Sequence, residues 1–114
     1  MDTKKYIDSH RERFFNELFS LLHIPSISAL PEHRKDMQFC AERWRDLLLE
    51  AGADRAEVMP TSASPVVFAE KIVDKSFPTV LVYAHYDVMP VEPLELWHTC
   101  LLYTSDAADD RISV

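Results

Sequence analysis

The sequence predicts an α/β fold, a three-layer αβα sandwich with a mixed sheet, and three features of the chain support that prediction. Apolar residues recur at helical spacing through the first half of the chain. A single glycine, Gly52, then marks a change to short apolar runs that are typical of strands. The last of these runs, residues 79–84, is apolar at nearly every position. Such a run is typical of a strand that helices cover on both faces.

Two amphipathic helices are predicted. The first covers residues 4–22 and is expected to end before Pro25, because the residue preceding a proline is driven out of the helical region. The second is expected to begin at Pro31, which fits a first helical turn, and to stop at Gly52 in a left-handed conformation. One apolar face of the second helix is predicted to be buried. That face consists of Met37, Cys40, Ala41, Trp44, Leu47, Leu48 and Ala51.

Three strands are predicted after Gly52, at residues 56–59, 66–72 and 79–84, and prolines flank them. The connection between the last two strands, residues 73–78, is short. Because a short connection joins antiparallel neighbours, we expect these two strands to pair in that direction within the mixed sheet.

Length and charge exclude several classes of function. A chain of 114 residues can form one small core but not a two-domain enzyme, so such an activity would belong to a longer parent protein. The net charge of −7 leaves no surplus of cations to neutralise phosphates, which argues against a nucleic-acid partner. The two cysteines, Cys40 and Cys100, support neither a disulfide framework nor a cysteine zinc site, and Cys40 is expected to be a buried thiol.

A membrane partner is also not expected. The longest apolar run, residues 80–84, is far shorter than the roughly 20 residues that cross a bilayer. The first residues, Met1 to Lys5, are followed by a charged stretch and not by the apolar core of a signal peptide. We therefore expect the protein to be cytoplasmic.

A histidine and a carboxylate follow the predicted third strand. His85 and Asp87 would lie at its carboxyl end, where open α/β sheets usually bind ligands. At a spacing of two along an extended chain the side chains point to the same side, so Asp87 can accept a hydrogen bond from one ring nitrogen. The other nitrogen could then bind a metal ion. A histidine at a strand end is more often a hydrogen-bonded structural residue than a metal ligand, so the pair alone leaves both interpretations open at this point.

The surrounding residues resemble a known family. Residues 78–97, Pro-Thr-Val-Leu-Val-Tyr-Ala-His-Tyr-Asp-Val-Met-Pro-Val-Glu-Pro-Leu-Glu-Leu-Trp, closely resemble the first metal-binding motif of the zinc peptidases that include carboxypeptidase G, carnosinase-like dipeptidases, aminoacylase and succinyl-diaminopimelate desuccinylase. Residues 22–28 are similar to the loop that follows the first helix in that family, and the similarity runs from residue 6 to residue 97. The proline-rich continuation, residues 90–97, is most similar to the dipeptidase branch. Ala84 stands where glycine is common in the family.

The resemblance implies that the chain is an N-terminal fragment of a dinuclear-zinc peptidase, with a truncated zinc exopeptidase-like fold. His85 would then be a ligand of one of two Zn²⁺ ions, with cobalt or manganese as alternatives, and Asp87 the catalytic acidic residue that orients it. The remaining ligands and the general base would lie downstream, so the fragment alone is expected to be inactive. The parent is expected to hydrolyse dipeptides or short peptides and to form a homodimer.

Two alternative functions stay open. The parent could be an amidohydrolase of the same family that removes an acyl group from an amino acid. The chain could also be a non-catalytic α/β binding module in which His85 and Asp87 only satisfy each other's hydrogen bonds.

The end of the sequence departs from the family pattern. Residues 1–99 are expected to be the N-terminal part of a catalytic domain. Residues 100–109, Cys-Leu-Leu-Tyr-Thr-Ser-Asp-Ala-Ala-Asp, resemble the translation of a transposase adapter used in sequencing libraries. We therefore expect residues 100–114 to be a translated adapter and no domain.

Overall fold

The computed structural model describes residues 2–98. These residues fall into two compact units, residues 2–24 together with 91–98, and residues 25–90.

The first unit contains two helices in place of the single helix predicted over residues 4–22. They are α1 (Thr3–Ser9) and α2 (Arg11–Leu22), and a short 3₁₀ turn, Leu94–Leu96, belongs to the same unit. The prediction that the helix ends before Pro25 is confirmed, since α2 stops at Leu22.

The break at His10 has a local cause. The Ser9 hydroxyl and the His10 ring nitrogen Nδ1 both lie 2.9 Å from the carbonyl oxygen of Tyr6. In an unbroken helix that oxygen would accept the His10 backbone amide, which instead bonds to Ile7 at 3.1 Å. Polar side chains that bond to nearby backbone compete with the helical ladder in this way.

The second unit begins with the loop after Pro25 and continues into the second predicted helix. A 3₁₀ turn, Pro31–His33, leads into α3 (Arg34–Glu50). Gly52 has a φ of 101°, and the amides of Gly52 and Ala53 bond to the carbonyls of Leu49 and Leu48. These two bonds form the Schellman arrangement that closes many helices at a left-handed residue. The predicted start and stop of this helix are therefore confirmed.

The core of the second unit lies at the first half of α3. Met37, Cys40 and Ala41 are buried there, together with Ser26 and Ile27 from the preceding loop. The predicted apolar face is thus confirmed at its N-terminal end. Its other members are less covered, with Trp44, Leu47 and Leu48 half-buried and Ala51 exposed.

The sheet in the described residues has two antiparallel strands, and α3 packs against both of them. They are β1 (Arg55–Met59) and β2 (Val66–Glu70), with Glu57 opposite Phe68 in the register. The α/β class and the first two strands agree with the prediction. The antiparallel pairing joins these first two strands, whereas the sequence had predicted it between the second and the third.

The predicted third strand, residues 79–84, is wrong for this structure. The segment forms no strand. Its side chains from Val80 to Tyr83 are 82–89% exposed. An apolar run indicates side chains that a strand could bury. A strand also needs a neighbouring strand to accept and donate its backbone hydrogen bonds. Within residues 2–98 only β1 and β2 pair as strands, and the one further bridge joins Ile27 and Val88 in parallel.

Candidate metal centre

The segment from His85 to Val88 is held by the loop of residues 26–28. The Val88 amide donates to the Ser26 carbonyl at 2.9 Å, and the Ser26 hydroxyl donates to the Tyr86 carbonyl at 2.8 Å. A parallel bridge joins Ile27 to Val88. Because Pro25 disfavours helix in the residue before it and α2 has already ended, this loop is free to run alongside the later segment.

Tyr86 anchors the segment from the other side. Its hydroxyl donates to the carbonyl of Pro65, and the ring is half-buried. Burial raises the pKa of the Tyr86 phenol, so the hydroxyl stays protonated as a donor. In an extended chain alternate side chains point to opposite sides, so an inward Tyr86 turns both His85 and Asp87 outward.

The structure brings His85 and Asp87 together as their spacing predicts. The ring nitrogen Nδ1 of His85 lies 2.9 Å from Oδ1 of Asp87. In the neutral ring the proton is assigned to Nδ1, because the facing carboxylate can only accept, and the lone pair is then on Nε2. The His85 side chain is 76% exposed, and Nε2 makes no hydrogen bond to any of residues 2–98.

Asp87 has a second partner that the sequence did not predict. The Ser28 hydroxyl donates to Oδ2 of Asp87 at 2.6 Å. This bond lowers the pKa of the Asp87 carboxyl, the His85 bond lowers it further, and partial desolvation opposes both. Asp87 is therefore a charged acceptor for the histidine. Ser28 is 59 residues away in sequence, and its place in the loop after the first helix was the only signal that could have pointed to it.

This arrangement fits one ligand of a metal site. An imidazole whose Nδ1 is bonded to a carboxylate presents Nε2 in the form that binds zinc. A zinc ion usually takes three or four protein ligands. Across residues 2–98, no three His, Cys, Asp or Glu side chains lie together in a way that could hold a metal ion. This part of the chain therefore offers one candidate ligand and its supporting carboxylate.

The other histidines have separate surroundings. His10 and His33 are half-buried, and His33 Nδ1 lies 2.8 Å from Asp36 Oδ2. His23 and His98 are exposed. Cys40 is a buried free thiol as predicted, and burial raises its pKa.

Among the helices of residues 2–98, none combines the length and the apolar character required to cross a bilayer. Cys100 and the expected adapter, residues 100–114, lie outside the described residues.

Comparison with known proteins finds two similar curated sequences, although no protein-family model matches the chain. The cysteinylglycine-S-conjugate dipeptidase of Corynebacterium striatum is 31% identical over 88 residues, which cover 77% of this chain and 19% of that protein. The Cys-Gly metallodipeptidase DUG1 of Saccharomyces cerevisiae is 30% identical over 105 residues, covering 82% of this chain and 22% of that protein. The chain thus spans about a fifth of the length of the curated relatives it matches.

A solved structure is similar as well. The dipeptidase Dug1p of Saccharomyces cerevisiae superposes with a TM-score of 0.80 and 27% sequence identity. The match covers 92% of this chain and 24% of that one. The similarity therefore includes both the sequence and the backbone arrangement.

Proposed function

We propose that the chain is part of a metal-dependent dipeptidase, in the dipeptidase branch of the metallopeptidase family that its motif resembles. One observation carries the proposal. His85 has its Nδ1 hydrogen bonded to Asp87 and a side chain that is 76% exposed, within the motif where the family binds its metal. In this proposal Nε2 of His85 is a ligand, and Asp87 fixes the orientation and tautomer of the ring.

We propose Zn²⁺ as the metal, with two ions in each active site of the parent protein. A neutral imidazole suits zinc, and it also binds cobalt and manganese, which remain the alternatives. When bound, the metal supplies a water molecule of lowered pKa and polarises the carbonyl of the bond to be cleaved. The part of this chain is to hold one ligand in place, and the further ligands and the general base would come from outside residues 2–98. The chain alone is then inactive.

The proposed parent has the three-layer αβα sandwich of zinc exopeptidases, with residues 1–99 as the N-terminal part of its catalytic domain. It would act in the cytoplasm as a homodimer on dipeptides or short peptides. The names of the two relatives favour small dipeptides of the Cys-Gly type as the first substrates to test. Because both relatives are dipeptidases, the acyl-removing amidohydrolase and the non-catalytic binding module are not favoured.

We propose that residues 100–114 are a translated sequencing adapter and contribute nothing to function. The test is an alignment of the underlying nucleotides with the adapter. Agreement over the codons of residues 100–109 supports the proposal, and a differing nucleotide sequence there would contradict it.

The proposed function is tested by substitutions in the full-length parent protein. His85→Ala removes a direct ligand, so we expect loss of one zinc per active site and of most dipeptidase activity. Asp87→Asn removes the charged partner of the ring, and we expect zinc affinity to fall by about 10- to 100-fold. Metal content by atomic emission and hydrolysis of Cys-Gly are the measurements.

A matched control is His33→Ala, because His33 also pairs with a carboxylate, that of Asp36, at 2.8 Å. It should retain both metal ions and near-normal activity. Full zinc content and activity in both His85→Ala and Asp87→Asn would end the assignment.

A further inference from the structure

We propose that Ser28 is a positioning residue for the ligand His85 and acts on it through Asp87. The inference rests on the proposed function, because it assigns a role to Ser28 only if His85 binds the metal. It adds a third member, from a distant loop, to a pair that the sequence motif already contains.

The two oxygens of Asp87 have separate donors. Ser28 donates to Oδ2 at 2.6 Å, a distance typical of a hydroxyl bonded to a charged carboxylate. His85 Nδ1 lies 2.9 Å from Oδ1. The torsion that rotates an aspartate carboxylate is broad, so a carboxylate bonded through one oxygen can turn. With Oδ2 bonded to Ser28, Oδ1 stays directed at the ring.

The loop that carries Ser28 is attached to the His85 segment independently of the Ser28 side chain. The backbone of Ser26 accepts the Val88 amide, and the Ser26 hydroxyl donates to the Tyr86 carbonyl. The bond from the Val88 amide also forms part of the parallel bridge between Ile27 and Val88. Removing the Ser28 hydroxyl should therefore release the carboxylate while leaving the backbone of both segments in place.

The experiment uses the full-length parent protein and Zn²⁺ as the probe. Zinc affinity is measured by competition with a chelator of known affinity for wild type, Ser28→Ala and Ser28→Thr. We expect Ser28→Ala to bind zinc about 3- to 10-fold more weakly, less than the loss for a direct partner of the ligand. Ser28→Thr keeps the hydroxyl and should bind zinc close to the wild-type affinity.

A second measurement separates positioning from a general structural role. In the metal-free protein, ¹⁵N NMR at a fixed pH reports which nitrogen of His85 carries the proton. Ser28→Ala should lower the fraction protonated at Nδ1 alone, and Ser28→Thr should not. Ser76→Ala is the matched control, because it removes a serine bond to an aspartate, Asp74, at 2.7 Å with no histidine attached. It should change neither zinc affinity nor the His85 spectrum.

The outcomes distinguish the two proposals. If His85→Ala loses one zinc while Ser28→Ala shows the zinc affinity and the His85 spectrum of the wild type, the role of Ser28 is overturned and the proposed function stands. Equal losses in Ser28→Ala and Ser28→Thr would also overturn it, since the hydroxyl would not be the cause. If His85→Ala keeps both ions, the proposed function itself fails. If Ser28→Ala does not fold, Ser28→Cys replaces it, because a thiol is a weaker donor than a hydroxyl. Equal zinc affinities in Ser28→Cys and Ser28→Thr would then overturn the inference.

Discussion

At the scale of single residues, the pairing of His85 with Asp87 was predictable and the contribution of Ser28 was not. The spacing of two places both side chains on one side of an extended segment, and the two side chains lie 2.9 Å apart here although residues 85–87 form no strand. Ser28 reaches Asp87 only because a loop 59 residues earlier runs beside it. Local spacing contains no information about that approach.

Asp54 is a second carboxylate whose charged form is stabilised by hydrogen bonds from its neighbours. Its Oδ2 accepts the Ile72 amide at 2.7 Å, and its Oδ1 accepts the Lys71 ammonium at 3.3 Å. The backbone bond to Ile72, followed by the bond to Lys71, lowers the pKa of the Asp54 carboxyl below its ordinary 3.8. A lowered native pKa means that the charged form stabilises the folded state.

The pH dependence of stability follows from the lowered pKa of Asp54. The stabilisation is fully present above the ordinary pKa of 3.8 and is lost as the pH falls through the lower native value. We expect the wild-type chain to melt at a higher temperature than Asp54→Asn near neutral pH. The difference should shrink as the pH is lowered from 5 to 2. Thermal unfolding followed by circular dichroism at a series of pH values measures it, and a constant difference over that range would contradict the interpretation.

At the scale of elements, the helix with clear end signals was predicted and the helix with an internal break was not. Pro31 and Gly52 bracket α3 and its preceding turn, and both act through local backbone geometry that a sequence displays directly. The break at His10 depends on side chains that compete for the Tyr6 carbonyl. Apolar periodicity continues across such a break and does not reveal it.

The core contribution of α3 is testable at Met37. Met37 is 4% exposed, and truncation to alanine leaves a cavity as well as lost apolar burial. We expect Met37→Ala to lower the free energy of unfolding by about 2–4 kcal/mol, within the range found for buried methionines. Urea unfolding of this chain, monitored by fluorescence, is the measurement.

Phe39 provides the control on the same helix. It is 59% exposed, so Phe39→Ala should change the free energy of unfolding by only about 0.5 kcal/mol or less. Equal effects of the two substitutions would show that the core does not lie at Met37.

At the scale of the whole molecule, residues 79–84 are the main difference between the sequence pattern and the structure. Their side chains were predicted to be covered, yet Val80 to Tyr83 are 82–89% exposed. Within residues 2–98 these residues form no strand pairing, and an exposed apolar segment of this kind is a site for association with other chains. We therefore expect the isolated chain to self-associate through this segment.

A lysine in the segment should reduce that association. Val82→Lys places a charge where the side chain is 84% exposed, and we expect the fraction of large species in sedimentation velocity to fall several-fold, because charged residues oppose edge pairing. Val73→Lys is the control, since Val73 is 77% exposed but lies outside the segment. Equal reduction by both variants would mean that general charge, and not this segment, governs association.

The sequence by itself determined the α/β class, the limits of the second helix, the first two strands and the pairing of His85 with Asp87. All of these follow from short-range rules of backbone conformation and from the periodicity of side chains. Only the tertiary structure decided that β1 pairs with β2, that residues 79–84 stay uncovered and that Ser28 bonds to Asp87. Each of these depends on which distant segment comes close in space, and that depends on the packing of the whole chain.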